Sequence, residues 1–197
     1  MKTLSAIINL SIAILFGCNK HNPTPATSNA NFPNTVGNKW IYSVTDNSSN
    51  KTFPVTVAIV GNSTARTHTV TIWTLTYPTY VDTNYVYSDR DSAVFYDKTK
   101  SAIKKVYHFP LTVGNKWINS FIADTATVVS SSTLSVQAGT FGNTYLIHDK
   151  AISLNYNLDR NQWYVPGVGL IKMNFREYNL APPITQSWEL TQFHITP

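Results

Sequence analysis

The chain has 197 residues, with 15 lysines and arginines against 10 aspartates and glutamates, a formal net charge of +5 and only 13% charged residues. That length suffices for one domain or two small ones, and so thin a positive excess excludes a nucleic-acid surface, which needs a dense basic stripe. One cysteine, Cys18, leaves no intrachain disulfide and no cysteine-based metal site.

Residues 1–17 have the parts of a secretory signal: a basic start at Lys2, an apolar core from Leu4 to Phe16, and a small residue, Gly17. The core is too short to span a bilayer, which takes about 20 apolar residues. Leu15-Phe16-Gly17-Cys18 resembles the lipobox of bacterial lipoproteins, with Phe16 departing from the small residue usual there. The resemblance implies a diacylglycerol on the Cys18 sulfur, cleavage before Cys18 and acylation of the new amine. Two or three acyl chains hold a protein firmly on a membrane, because each buried methylene contributes about 0.8 kcal/mol. Asn19 to Asn31 is polar, carries Pro23 and Pro25, and has no apolar period, so residues 18–31 read as a lipidated tether. Thirteen residues reach at most about 45 Å. Asn19 is not the aspartate that in enteric lipoproteins marks inner-membrane retention, which implies an outer-membrane address in the cell envelope.

The body opens on a repeat. Phe32-Pro-Asn-Thr-Val-Gly-Asn-Lys-Trp-Ile41 and Phe109-Pro-Leu-Thr-Val-Gly-Asn-Lys-Trp-Ile118 agree at nine of ten positions and start 77 residues apart. We expect two tandem modules of about 75 residues, 32–108 and 109–197. In each, the Gly-Asn pair allows a tight turn with positive φ and the tryptophan opens the next strand as an apolar plug. Thr, Ser, Val, Ile and Tyr are abundant and no stretch of the mature chain keeps a helical apolar period, so the fold class is all-β and antiparallel. Alternation predicts strands at 40–44, 53–60, 68–77, 85–88, 93–97 and 104–108. The second copy gives 117–122, 127–136, 145–154, 162–165, 170–175 and 187–194. Turn chemistry predicts breaks at Asn47-Ser-Ser-Asn50, Gly61-Asn62, Gly142-Asn143, Pro166-Gly167 and Pro182-Pro183. Two arrangements stay open: one curved sheet or half-barrel, or two packed β units.

The Phe-Pro-x-x-Val-Gly-Asn-x-Trp opening, Ala138-Gly-Thr-Phe141 and Trp163-Tyr-Val-Pro-Gly-Val-Gly-Leu170 together resemble a family of β-rich bacterial envelope lipoproteins. That resemblance implies the compartment and the all-β class and carries no activity. A looser fold-level analogy is to half-barrel proteins that shelter acyl chains in the periplasm.

Chemistry is sparse. The histidines at 21, 68, 108, 148 and 194 show no metal-ligand spacing. His148-Asp149 are strand neighbours and point to opposite faces. Asp89 and Asp91, with Arg90 between them, read as plain turn chemistry rather than as a calcium site, and Lys98, Lys100, Lys104 and Lys105 read as a solvated loop. We therefore expect no catalytic set, no metal and no cofactor. The remaining candidate ligand surface is aromatic: Trp73, Tyr77, Tyr85, Tyr87, Trp163 and Tyr164. Core packing and cross-strand pairing account for the same residues. The expected function is a non-enzymatic binding module for a glycan, lipid or protein ligand, held on its membrane by the N-terminal lipid. A structural or assembly component of the envelope is the alternative, and a hydrolase built from distant strands the third. An open aromatic-lined groove would support the first reading; His108, His148 or His194 meeting an aspartate in a cleft would support the last.

Overall fold

The computed structural model describes residues 31–119, 124–152, 157–178 and 183–196. Cys18, the signal segment and most of the tether lie outside the described residues, as does Pro182.

Every described element is a strand: β1 (Lys39–Asp46), β2 (Lys51–Ala65), β3 (His68–Thr76), β4 (Val81–Ser88), β5 (Ser92–Tyr96), β6 (Ile103–His108), β7 (Lys116–Ile118), β8 (Thr125–Val136), β9 (Gly139–Ile152), β10 (Asn157–Val165), β11 (Gly169–Glu177) and β12 (Ile184–His194). They form one twelve-stranded antiparallel sheet, in the order β6-β5-β4-β3-β2-β1-β12-β11-β10-β9-β8-β7. This is an up-and-down meander whose first and last strands pair, β1 with β12, so the sheet curls into a nearly closed barrel. Of the two arrangements left open by the sequence, the single sheet is the one formed. One core cluster runs through it, from Trp40, Val55 and Ile59 to Ile147, Tyr164, Ile171 and Leu190.

Period-2 alternation makes this core. Trp40, Tyr42 and Val44 on β1 face inward and are 2%, 4% and 0% exposed, while the residues between them are half-buried. A strand is present at each predicted place, although residues 120–122 and 153–154 of the strands predicted at 117–122 and 145–154 lie outside the described residues; Asn47–Asn50 and Pro166-Gly167 lie at turns. Two predicted turns are not turns. Gly61-Asn62 lies inside β2, beside a register shift between Ile59 and Gly61. Gly142-Asn143 lies inside β9, where the two residues oppose Thr133 alone and Asn143 takes a positive φ of 50°. Glycine and asparagine serve bulges as well as turns, because both tolerate that backbone geometry. The chain reverses instead at Arg66-Thr67, after Gly61-Asn62, and at Gln137-Ala138, before Gly142-Asn143.

These long hairpins bend over the outside of the barrel. At the β2–β3 tip, Arg66 Nη2 donates to the Ser101 carbonyl (2.8 Å) and Lys100 Nζ to Ser63 Oγ (2.7 Å). The tip thereby covers a satellite cluster of Ala65, Val70 and Tyr96 with Tyr85, Tyr87, Val94 and Ile103. At the β8–β9 tip, the Gln137 N–H donates to Glu189 Oε1 (3.0 Å) and the Ala138 N–H to the Leu190 carbonyl (3.1 Å) on β12.

The repeated decapeptides make the same turn. Gly37 and Gly114 have φ of 98° and 93°. The Gly37 N–H donates to the Ile59 carbonyl (2.9 Å) and the Gly114 N–H to the Val128 carbonyl (2.8 Å). The two tryptophans then part. Trp40 is buried in the core, whereas Trp117 is half-buried and closes the seam between β6 and β7.

Those two edge strands do not pair. Instead the Val106 N–H donates to Asn119 Oδ1 (2.9 Å), and Trp117 Nε1 donates to the Val106 carbonyl (2.9 Å). At Val106 side chains thus take the place of the ladder, satisfying both backbone groups of that edge residue. Asn119 is 1% exposed and is itself held by Asp124, through its N–H to the Asp124 carbonyl (2.8 Å). Asn119→Ala would leave the Val106 N–H without its acceptor, and a loss of about 1–3 kcal/mol is expected in denaturant unfolding. Faster hydrogen exchange at Val106 is the local signature; unchanged protection there would show that the seam does not depend on Asn119.

Candidate functional site

The segment after the tether plugs one end of the barrel. The Asn31 carbonyl accepts from Tyr164 Oη (3.0 Å) and the Gly167 N–H (3.1 Å). Phe32, 3% exposed, stacks on Trp73 with ring centroids 5.6 Å apart and meets Phe95, Tyr107 and Phe109 edge-on or tilted at 5.8–6.1 Å. Asn34 fixes the plug, accepting at Oδ1 from Trp73 Nε1 (2.8 Å) and Thr71 Oγ1 (2.5 Å) and donating to Ser88 Oγ (2.9 Å). Gly169, with φ of 106°, passes close beneath; a Cβ there would lie 3.6 Å from both Pro33 Cγ and Trp40 Nε1.

Above this floor lies a cavity of about 480 Å³. Its rings are held by their polar tips: Trp40 Nε1 donates to the Val168 carbonyl and Tyr42 Oη to the Leu170 carbonyl, both at 2.7 Å. The tyrosine hydroxyls of the wall are protonated, since burial pushes Tyr42, Tyr107 and Tyr164 above the ordinary phenol range. The far end is the mouth. Leu75, Tyr77, Met173, Phe175 and Gln186 line the cavity there and are half-buried, in contrast to the buried floor. One wall, from β1–β3, β11 and β12, is apolar and aromatic: Trp40, Tyr42, Leu75, Met173, Phe175 and Trp188.

The opposite wall, from β6 and β10, is cationic. A register shift in β6 pairs Phe95 with Lys105 and Tyr96 with Ile103, leaving Lys104 as the extra residue. Lys104 and Lys105 consequently both line the cavity, as does Arg160. The loop reading of these two lysines is therefore overturned, since both are on β6 and a bulge cancels the alternation that would have sent one of them outward; Lys104 stays exposed, while Lys105 is half-buried. Lys104 Nζ lies 3.6 Å from Asp82 and donates to Asn84 Oδ1 (3.0 Å). Arg160 is anchored behind the wall by Asp149, which is fully buried and accepts at Oδ2 from Arg160 Nη2 (2.6 Å), Arg160 Nε (2.8 Å) and the Gln162 amide. Asp149 Oδ1 has no hydrogen-bond partner among the described residues. The Gln162 carbonyl oxygen in turn accepts from Tyr107 Oη (2.8 Å) and Lys105 Nζ, and Lys105 also donates to Tyr107 Oη. Burial first, and the Arg160 charge second, hold the Lys105 ammonium well below the usual lysine pKa; Asp149 and Asp124 oppose the shift in part.

Of the six aromatic candidates, the structure brings Trp73, Tyr77 and Tyr164 together in the cavity. Tyr85 and Tyr87 are on the outer face of β4, beneath the β2–β3 tip, where Lys100 Nζ sits 4.4 Å from the Tyr85 ring centroid. Trp163 is on the outer face of β10, with Lys172 Nζ at 5.7 Å. Lys105, Arg160, Gln162 and Asp149 were missed as site residues. Inward alternation of Arg160, Gln162 and Tyr164 along β10 was the available signal. His148 and Asp149 do face opposite ways: His148 Nε2 is 3.0 Å from Asp159 on the outside. Asp89 Oδ1 accepts from the Asp91 and Ser92 N–H groups at 3.0 and 2.8 Å, which is turn chemistry. Among the described residues no three His, Cys, Asp or Glu side chains are grouped so as to hold a metal.

No protein-family model matches the chain, and no curated protein matches it. Two solved structures are similar to it. One, from Bacteroides fragilis and provisionally described as an exported protein with a YmcC-like fold, is 12% identical, with 85% of this chain and 100% of that chain covered and a TM-score of 0.47. The other, from Parabacteroides distasonis and provisionally described as a lipoprotein, is 13% identical with the same coverage and a TM-score of 0.48.

Proposed function

We propose that this chain is a lipid-anchored protein of a bacterial envelope that binds an amphiphilic small molecule of the lipid class inside its barrel, without catalysis. The observation that carries this reading is the one-ended cavity of about 480 Å³, with one aromatic and apolar wall and a few converging polar groups on the other. Its size and lining are those of a small-molecule site. Enclosure favours a lipid over the other two ligand classes. A protein partner needs an exposed face of roughly 800 Å², and a glycan offers too few apolar atoms to cover Trp40, Trp188, Met173 and Phe175. The anchor at Cys18 and the outer-membrane address rest on the lipobox and on Asn19. Asn31 lies at the plugged end, so the tether leads to the floor of the cup and the mouth is at the other end of the barrel.

Two measurements test the reading. Protein purified from its membrane should release a stoichiometric amphiphile on solvent extraction. A naphthylamine fluorophore should enter the emptied cavity, and Met173→Trp, which fills it from the half-buried wall, should weaken that uptake at least about tenfold, a loss of roughly 1.4 kcal/mol, with the melting temperature retained. Absence of any bound amphiphile together with no fluorophore uptake by the unaltered chain would sink the proposal.

A further inference from the structure

We infer that the occupant is held by a single anionic group, a carboxylate or a phosphate monoester, set against Lys105 on the wall formed by β6 and β10. This rests on the reading of the cavity as an amphiphile site and adds the chemistry of the head group.

The charges on the cavity wall are not equivalent. Lys104 has Asp82 at 3.6 Å and Arg160 has Asp149 at 2.6 Å. Lys105 has only neutral oxygens, those of Tyr107 and Gln162, and among the described residues no carboxylate lies within ion-pair distance of it. An ammonium has three N–H donors; these two oxygens take two, and Lys105 lines open cavity. A charge removed from water without a carboxylate in contact is unfavourable; burial and the neighbouring Arg160 charge push the Lys105 pKa down, and Asp149 and Asp124 offset that only in part. An entering anion supplies the missing charge and an acceptor for the third donor, in a charge-assisted hydrogen bond.

The surrounding network is built to keep Lys105 in place. Gln162 is fully buried; its amide is fixed on Asp149, so its oxygen is turned toward Lys105 and Tyr107. Asp149 thereby positions the lysine through Gln162 while pairing directly with Arg160; the buried Asp124 acts on Lys105 only from beyond ion-pair distance, so Lys105 is the one cation of this wall without a carboxylate in contact among the described residues. Facing it are Leu75, Met173, Phe175 and Trp188, with no acidic group until Glu177, the last residue of β11 at the mouth. A molecule with one anionic head and an apolar body satisfies both walls; an uncharged one leaves Lys105 as it is.

The test uses the full lipidated chain, sprayed from non-ionic detergent for native mass spectrometry, with three probes of equal chain length at equal concentration: hexadecanoate, hexadecyl phosphate and hexadecanol. The expected result is retention of one or both anions about tenfold or more above the alcohol, the stronger of the two identifying a carboxylate or a phosphate source. Lys105→Met should reduce anion retention to the level of the alcohol and leave the alcohol unchanged, while Lys172→Met on the outer face should change nothing. Equal retention of all three probes by the unaltered chain overturns the head-group assignment and leaves the cavity reading standing. Retention of none overturns both. Because the probe comparison is made on the unaltered chain, it decides even if Lys105→Met does not fold.

Discussion

Asp149→Ala is expected to destabilise the barrel by about 3 kcal/mol or more, the range found when one partner of a buried ion pair is removed. The carboxylate is fully buried, and a single oxygen, Oδ2, receives both Arg160 contacts and the Gln162 amide. Alanine would leave a guanidinium that is 20% exposed without its counter-charge and a buried amide without its acceptor. Asp149→Asn keeps an oxygen for those donors and loses the charge, so its loss should fall between wild type and alanine. Adding Arg160→Met to Asp149→Ala should restore part of the stability, since a buried pair replaced by apolar groups is often near neutral. Denaturant unfolding of wild type, Asp149→Ala, Arg160→Met and the double variant gives the coupling as a double-mutant cycle. Additive losses in that cycle would mean that the pair does not act as a unit. The cavity should suffer too: without Asp149, Gln162 can turn, and Lys105 loses its fixed acceptor.

The second large effect is at the other end of the chain. Cys18→Ala should abolish labelling by a fatty-acid probe, leave the precursor uncleaved and remove the mature form from the membrane fraction altogether. The expectation follows from the lipobox, in which the thiol is the acylated atom and its modification precedes cleavage. Two or more acyl chains make the difference between firm and marginal attachment, so no weaker anchoring is expected to remain. Normal processing of the alanine variant would remove the basis of the envelope assignment.

Local patterns fixed much of what was legible in advance. Each strand could be read from alternation, because an antiparallel strand with one buried face imposes a period of two on its own residues. The turn of each decapeptide could be read from Gly37 and Gly114. Gly61-Asn62 and Gly142-Asn143 misled for the same reason they were noticed: the backbone geometry that ends a strand also bends one. β2 and β9 therefore run past them, to the tips that fold over the barrel.

The candidate site was legible by halves. Trp73, Tyr77 and Tyr164 are cavity residues; Tyr85, Tyr87 and Trp163 belong to the same strands or their neighbours and face outward. On β4 the inward residues are Asn84, Val86 and Ser88 and the outward ones Tyr85 and Tyr87, so a rule that sends aromatics inside chooses the wrong face. Alternation says that two faces exist and does not say which one closes. Here both are covered, one by the barrel and the other by a bent hairpin tip, so hydrophobicity does not distinguish them.

What the sequence by itself determined is the all-β class and the succession of strands along the chain, and it carries the expectation of an anchor at Cys18, each resting on residues near one another in the chain. Tertiary structure alone decided that the two expected modules share one sheet, that Phe32 plugs it, and that Lys105 on β6 meets Gln162 on β10. Those contacts join residues far apart in the chain, Lys105 and Gln162 by 57 positions and Asn31 and Tyr164 by 133. They exist only because β1 pairs with β12 and brings β6 and β7 face to face across the seam. A single register shift in β6 then sets two lysines on the cavity wall, the exposed Lys104 and the half-buried Lys105, a displacement that residue type and spacing do not encode.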